Sequence, residues 1–313
     1  EAMRAVAAGK RHPMATTVRR VGRHRPRPVF IFPGQGGQWR GMGRRLAEAC
    51  PHFRAALERC DHALAQVLGR RLFDPDVGLT FDDAATLQPA IFAMQVALAE
   101  SWRARGVEPY AVVGHSLGEV AAAHVAGALD LADAVRVICA RSLLLGKLEG
   151  TGGMLMTELS PQEAAELVEG EDDLAVAAVN GPRATVLAGG LEALARVERL
   201  LERRQVFHRR VAVGFAAHSP HVAPLQPLLR DALQGISPTA TRVPFHSTVT
   251  GGEVPGDRLD VAYWVDNLRQ TVQFGPVVQR LYEQGHALFV EISPHPVVAR
   301  TLSEAMPEAT VVA

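Results

Sequence analysis

The chain is poor in cysteine, has no net charge and lacks any apolar run of membrane-spanning length. Its three cysteines, Cys50, Cys60 and Cys139, are odd in number and widely spaced. That excludes a disulfide framework and a cysteine-rich metal site, and leaves reduced thiols packed in an intracellular protein. Basic and acidic residues balance at 33 each, so no overall field draws the chain to nucleic acid or to an anionic membrane surface. Without a stretch of about 20 apolar residues there is no membrane anchor. The N-terminus carries charge but no apolar h-region, which excludes a signal peptide. A cytoplasmic location is therefore expected, and the missing initiator methionine suggests a piece of a longer chain.

What the chain does have is apolar content, 48% of 313 residues, enough to bury a large core in one large domain or two smaller ones. Its centre is residues 110–118. Ala111-Val112-Val113 reads as a strand of a covered sheet, ending in Gly114-His115-Ser116-Leu117-Gly118 at the start of a helix. Glycines on both sides of Ser116 permit the sharp strand-to-helix turn that lifts a hydroxyl above a sheet edge. Ser116 is therefore the candidate nucleophile, although glycine and serine together also make ordinary turns.

In chain order, residues 1–28 set Arg4, Lys10, Arg11, Arg19, Arg20, Arg23, Arg25 and Arg27 against one acid, Glu1. No aromatic is interleaved for base stacking, so the segment reads as a solvated basic linker rather than a nucleic-acid arm. Val29-Phe30-Ile31-Phe32 reads as the first core strand. It leads into Pro33-Gly34-Gln35-Gly36-Gly37-Gln38-Trp39, which lacks the lysine and hydroxyl of a P-loop and the spacing of a dinucleotide fingerprint. Such a loop can aim backbone N–H groups at an anion. With Gln35 and Leu117 as donors it would make an oxyanion hole; a tight turn is the other reading.

Helical periodicity covers residues 42–68, broken near Pro51, and residues 89–102. Gln88, just before the second of these, either faces the site or serves a plain capping or solvent role. Two more helices, 121–126 and about 130–148, follow the Ser116 turn. Arg141 lies in the second among Val137, Ile138, Leu144 and Leu145. A guanidinium there is costly unless it meets an anion or water, so it clamps a carboxylate, makes an internal ion pair or snorkels to the surface.

After Gly152-Gly153 the pattern changes to strand (154–159), helix (161–168), strand (174–179), strand (184–188), helix (191–204) and strand (207–213). That is the βαββαβ order of a ferredoxin-like unit. It forms an insertion, residues 152–213, and a ligand is expected in the cleft between it and residues 29–151 with 214–313. Next comes Gly214-Phe215-Ala216-Ala217-His218-Ser219-Pro220-His221. His218, if near Ser116, can act as general base; a satisfied structural histidine is the alternative, more so for His221 and His246. Strands at 243–245 and 287–292 and a short helix over 261–268 follow. An amide or carbonyl near Asn267 would orient the imidazole in place of a triad acid. His295 reads as a turn residue.

Taken together, Phe32-Pro33-Gly34-Gln35-Gly36, Gly114-His115-Ser116-Leu117-Gly118-Glu119, Arg141, Asn180-Gly181-Pro182, His218-Ser219-Pro220, Tyr263-Trp264 with Asn267-Leu268-Arg269, and Ser293-Pro294-His295-Pro296 carry a resemblance. From about residue 29 the chain resembles the acyltransferase domain of polyketide synthases and the malonyl-CoA:acyl-carrier-protein transacylases. The resemblance implies an α/β fold, with an α/β-hydrolase-like large subdomain carrying the ferredoxin-like insertion. It also implies a type I polyketide synthase as parent and a linker from an adjacent ketosynthase domain at 1–28. The reaction implied is ping-pong: Ser116, activated by His218, takes an acyl group from acyl-CoA and passes it to the phosphopantetheine thiol of an acyl carrier protein. No metal, bound cofactor, nucleic acid or membrane partner is implied.

In the same way, Asn267 is implied to orient His218, Gln35 and Leu117 to form the oxyanion hole, and Arg141 to bind the free carboxylate of a malonyl-type unit. Gln88, His115, Phe215 and Ala217 are implied to contact substrate. Positions 215 to 218 read Phe-Ala-Ala-His, where malonyl-specific relatives usually read His-Ala-Phe-His and methylmalonyl-specific ones Tyr-Ala-Ser-His. Ala217 leaves room for an α-substituent, whereas Leu117 is common in malonyl domains. A substituted malonyl unit, methylmalonyl or another, is the expectation, with malonyl next. A serine esterase or thioesterase would share the Ser116 turn but has no use for Arg141. A non-catalytic carrier-protein docking domain would not need all of Ser116, His218 and Arg141.

Overall fold

The computed structural model describes residues 27–73 and 83–313. Apart from Arg27 and Pro28, the linker expected at residues 1–28 lies outside the described residues. Val29–Phe32 forms β1, four residues wholly removed from solvent. Two helices follow, α1 (Arg44–Ala49) and α2 (Pro51–Leu68), parted at extended Cys50 because Pro51 needs no N–H partner in the first turn of a helix.

Helix α3 (Ala84–Arg103) starts earlier than the sequence suggests, because the Asp83 carboxylate caps it by accepting the Thr86 N–H at 2.6 Å. Pro89 sits inside it and leaves one i→i−4 bond unmade. Burial on almost every face holds the helix regardless. Gln88 therefore lies within the helix rather than in front of it, which excludes the capping role.

Strand β2 (Ala111–Gly114) pairs in parallel with β1, Val29 opposite Ala111 and Phe32 opposite Gly114. It feeds α4 (Gly118–Ala126) and then α5 (Leu131–Gly146), whose cap is the Asp130 carboxylate. The chain next builds a separate sheet from β3 (Gly153–Thr157), α6 (Pro161–Val168), β4 (Leu174–Gly181), β5 (Ala184–Gly189), α7 (Leu191–Arg203) and β6 (His208–Arg210). Its order is β4-β5-β3-β6 and every pair is antiparallel, the ferredoxin-like arrangement. The apolar stripe Ala193, Leu194, Val197 and Leu201 of α7 packs with Leu155 and Leu187 of this sheet.

The remainder returns through α8 (Gln226–Ala232), β7 (Phe245–Ser247), β8 (Gly252–Glu253), α9 (Val261–Arg269), α10 (Phe274–Glu283), β9 (Leu288–Glu291), α11 (Ala299–Ala305) and β10 (Thr310–Val312). Strand β7 begins only after Pro244, which has no N–H for a ladder. The main sheet runs β10-β9-β1-β2-β7-β8, parallel except for β8. Alternate residues of β1 feed opposite layers: Phe30 and Phe32 pack with Phe53, Phe92 and Val120, while Val29 and Ile31 pack with Phe274 and Phe289. A sheet buried on both faces by helices makes the large subdomain α/β-hydrolase-like. No helix of the described residues is long and apolar enough to cross a membrane.

Candidate active site

Strands β1 and β2 are parallel neighbours that end level, so the loop after Phe32 and the turn after Gly114 stand side by side at one sheet edge. Ser116 sits on that turn at φ 55, a left-handed conformation that is strained for a serine. Contacts on both sides hold it there. A Cβ on Gly114 would overlap the Glu119 backbone, and one on Gly118 would overlap the Phe32 carbonyl. The His115 N–H donates to Phe32 O at 2.8 Å.

His218 reaches the same point from the other end of the chain, also at positive φ, 58. Two carbonyls at the end of α9 fix it: Leu268 O accepts its backbone N–H at 3.2 Å, and Gln270 O lies 2.9 Å from its Nδ1. Helix ends leave such carbonyls unpaired. Because a carbonyl can only accept, Nδ1 carries the proton and Nε2 offers its lone pair to the Ser116 hydroxyl at 2.7 Å. Burial, with Arg141 and His115 adding to it, pushes the His218 pKa down to about 3, so the ring is neutral. The arrangement can deprotonate the hydroxyl as it attacks.

Asn267 does not orient the imidazole. Its Nδ2 donates to Glu119 Oε2 at 2.8 Å and to Ser116 O at 3.3 Å, so it supports the turn while the Gln270 main chain orients the ring. Glu119 is fully buried and also accepts from Thr248 N at 2.6 Å and Tyr263 Oη at 2.7 Å. Burial raises its pKa and these bonds oppose the rise.

Arg141, 2% exposed, donates from Nη2 to Ser116 Oγ at 3.3 Å, while Nε and Nη1 have no partner among the described residues. Burial pushes its pKa down to about 10, with Glu119 acting against the fall, and the guanidinium stays charged. This is not the internal ion pair of the alternative reading. A buried cation with free donors beside a serine is suited to an anionic group on whatever acylates that serine.

The glycine loop is held by α3. Gln88 Nε2 donates to Gln35 Oε1 at 3.0 Å, and Gln95 Nε2 donates to Pro33 O at 2.7 Å. Leu117 begins the helical backbone directly after Ser116. His115 Nε2 meets Asn180 Oδ1 of β4 at 2.8 Å, and burial lowers the His115 pKa. His221 Nε2 contacts Asp173 Oδ1. Both histidines thus tie the turn loops to the smaller sheet. Phe215 and Ala217 are buried in the core shared with Phe92 and Val120. The Gln270 carbonyl stands three residues beyond Asn267, where an amide or carbonyl is expected to orient the ring; Gln95 carries no sequence signal, being one glutamine within an alanine-rich run. A cavity of about 710 Å³ lies elsewhere, against α1 and α2, lined by residues such as Arg40, Arg54, Asp61 and Arg71; no candidate site residue lines it.

A pH test follows from the state of His218. Only the neutral ring can take a proton, and the neutral form persists above the pKa. With that pKa near 3, the rate of Ser116 modification by an activated ester should not show the usual histidine midpoint of about 6.5. Rapid-quench rates between about pH 8 and 5 should stay flat on the acid side; a half-point near the ordinary value would show that the ring is not held neutral by its surroundings.

A model of the acyl transferase domain matches residues 29–313. The spectinabilin polyketide synthase system protein NorC of Streptomyces orinoci is 48% identical over 284 residues, covering 89% of the chain. The erythronolide synthase EryA2 of Saccharopolyspora erythraea is 44% identical over 288 residues, covering 90%. The chain spans only 12% and 8% of the lengths of these two proteins. Among solved structures, the acyltransferase domain from module 8 of the salinomycin polyketide synthase superposes with a TM-score of 0.90 at 42% identity, covering 92% of this chain and 70% of that one. A loading acyltransferase from the avermectin modular polyketide synthase gives 0.86 at 42%, covering 91% and 92%. The chain therefore belongs to the acyl transferase domain family, among the acyltransferase domains of type I polyketide synthases.

Proposed function

We propose that the chain loads a malonyl-type unit from acyl-CoA, through an ester on Ser116, onto the phosphopantetheine thiol of an acyl carrier protein. The observation that carries the reading is Arg141: a buried charge, 3.3 Å from Ser116 Oγ, with two nitrogens unpartnered among the described residues. An esterase has no need of a desolvated cation there, whereas the free carboxylate of a malonyl unit would pair with it through Nη1 and the remaining Nη2 hydrogen.

In this reading His218 Nε2 takes the Ser116 proton as Oγ attacks the thioester carbonyl. The negative charge develops on the carbonyl oxygen, toward the Gln35 and Leu117 N–H groups. The intermediate collapses, the C–S bond breaks, and the His218 proton goes to the departing CoA thiolate. The carrier thiol then attacks the Ser116 ester by the same steps in reverse. Acyl-CoA and carrier phosphopantetheine are substrates, no bound cofactor takes part, and the location is cytoplasmic. Within a synthase, an adjacent ketosynthase joined through residues 1–28 is the neighbouring partner.

For the extender unit, Ala217 supports a substituted malonyl group, with Phe215, His115 and Gln88 also facing substrate. Intact mass measurement after brief exposure to equimolar malonyl-, methylmalonyl- and ethylmalonyl-CoA tests both levels. One dominant adduct names the unit, and no adduct defeats the reading. Ala217→Phe is expected to shift competition toward malonyl over branched units by about 5–100-fold, the worth of a methyl group or two in an apolar pocket; an unaltered ratio would place selection at other residues.

A further inference from the structure

Gln95 is a costly residue for a core. It is fully buried in the middle of α3. Its Nε2 donates to Pro33 O at 2.7 Å, while its Oε1 has no hydrogen-bond partner among the described residues. The amide's orientation is forced, because Pro33 O can only accept. A half-satisfied amide is less stable in an interior than an apolar side chain of similar shape. The burial of the amide itself therefore does not account for it.

The carbonyl it holds does. Pro33 O lies 2.8 Å from where a Cβ on Gly118 would stand, at the first residue of α4. The following residue, Gly34, runs against the turn itself, its Cβ position 3.2 Å from His115 Nδ1. Gln95 thus presses the start of the glycine loop onto the turn that carries Ser116, and it does so through the main chain. Gln88 holds only the side chain of Gln35.

We propose that Gln95 is a positioning residue for the oxyanion hole. By fixing the Pro33 carbonyl it fixes the Pro33-Gly34-Gln35 backbone, so that the Gln35 N–H faces the thioester oxygen as charge develops there. The inference rests on the acyl-transfer reading given above. Without a donor at position 95 the Pro33–Gly34 peptide is free to turn, and the site loses an interaction made only in the transition state. Substrate binding, which Gln95 does not touch in this scheme, is kept.

The test is rapid-quench acylation of the wild type, Gln95→Met and Gln95→Glu by malonyl- and methylmalonyl-CoA, read by intact mass. A wild type that forms no Ser116 adduct overturns the acyl-transfer reading and this inference with it. Given an adduct, Gln95→Met is expected to lower the maximal acylation rate by about 10–100-fold, part of what outright loss of an oxyanion donor costs. The half-saturating acyl-CoA concentration should stay within about twofold, and the melting temperature should fall by no more than a few degrees, the cost of leaving Pro33 O unpaired. Gln95→Glu should regain rate as pH falls, because burial keeps a carboxyl protonated at higher pH than usual and the acid O–H can donate to Pro33 O. Wild type should show no such recovery. Rates equal to wild type in both variants overturn the positioning role while leaving the acyl-transfer reading intact. A rate loss that vanishes when each variant is assayed well below its melting temperature also overturns it, marking a structural glutamine.

Discussion

Ser116→Ala is expected to remove the acyl adduct and to lower acyl transfer by about 10⁴–10⁶-fold, with the melting temperature unchanged within about 2 °C. Both halves come from the turn. Alanine keeps the Cβ that Ser116 already holds at φ 55, so backbone strain is the same in the variant. The hydroxyl's contacts are His218 Nε2 at 2.7 Å and Arg141 Nη2 at 3.3 Å; neither element depends on that oxygen for its place, since α9 carbonyls hold His218 and α5 carries Arg141. The loss therefore falls on chemistry. Labelling that persisted on the same peptide of a folded variant would remove Ser116 from the role of nucleophile, and thermal melts beside intact mass spectra decide it.

Arg141→Ala should cut loading of malonyl-type units by about 10²–10³-fold, corresponding to the roughly 3–4 kcal/mol that a desolvated charge pair supplies. It should raise the relative acceptance of acyl-CoAs that lack a free carboxylate. Stability is pulled both ways: alanine removes a cation that is 2% exposed and poorly paired, and opens a cavity in its place. A second readout comes from His218, whose low pKa owes its second largest cause to the Arg141 charge. Without that charge the pKa rises, the neutral ring is lost at higher pH, and the acid limb of the rate moves upward. Competition between malonyl- and propionyl-CoA, and the pH profile with propionyl-CoA, measure the two effects. An unchanged preference would sink the carboxylate-binding role.

Much of the fold is legible in the sequence where period and punctuation agree. The smaller sheet alternates strand and helix patterns between clear turns, and its element order follows directly. Helix α3 starts early because a capping aspartate overrides the proline that looked like its beginning. The edge strands β8 and β10, two and three residues long, carry too little pattern to be read. In the site, Ser116, His218 and Arg141 show themselves by being out of keeping with their neighbours: a serine between glycines, a histidine in an apolar stretch, an arginine in an apolar helix. The resemblance gives Asn267 itself the orienting role, whereas the residues alone point to an amide or carbonyl near it, and that carbonyl is Gln270 O. The group that orients the imidazole is a carbonyl, common to every residue, and only coordinates show which one is near. Gln95 is hidden similarly, since its partner is the main chain of a proline distant in sequence.

The hold on His218 also bears on how this domain tolerates change. Leu268 and Gln270 contribute oxygens, not side chains, so apolar substitutions of similar size there leave the His218 ring aimed as before. Insertions and deletions do not. Each residue added or removed turns the end of α9 by about 100° and carries both oxygens away from the ring. The helix start is pinned by Asp260, which caps it through Tyr263 N at 3.0 Å, and by the Trp264 indole on Leu259 O at 2.8 Å, so the error cannot be absorbed upstream. The backbone length of residues 259–270, pinned by the side chains at its start, thus sets where the two oxygens stand. Chimeric domains whose splice changes the length of that stretch would lose catalysis while keeping every side chain of the site.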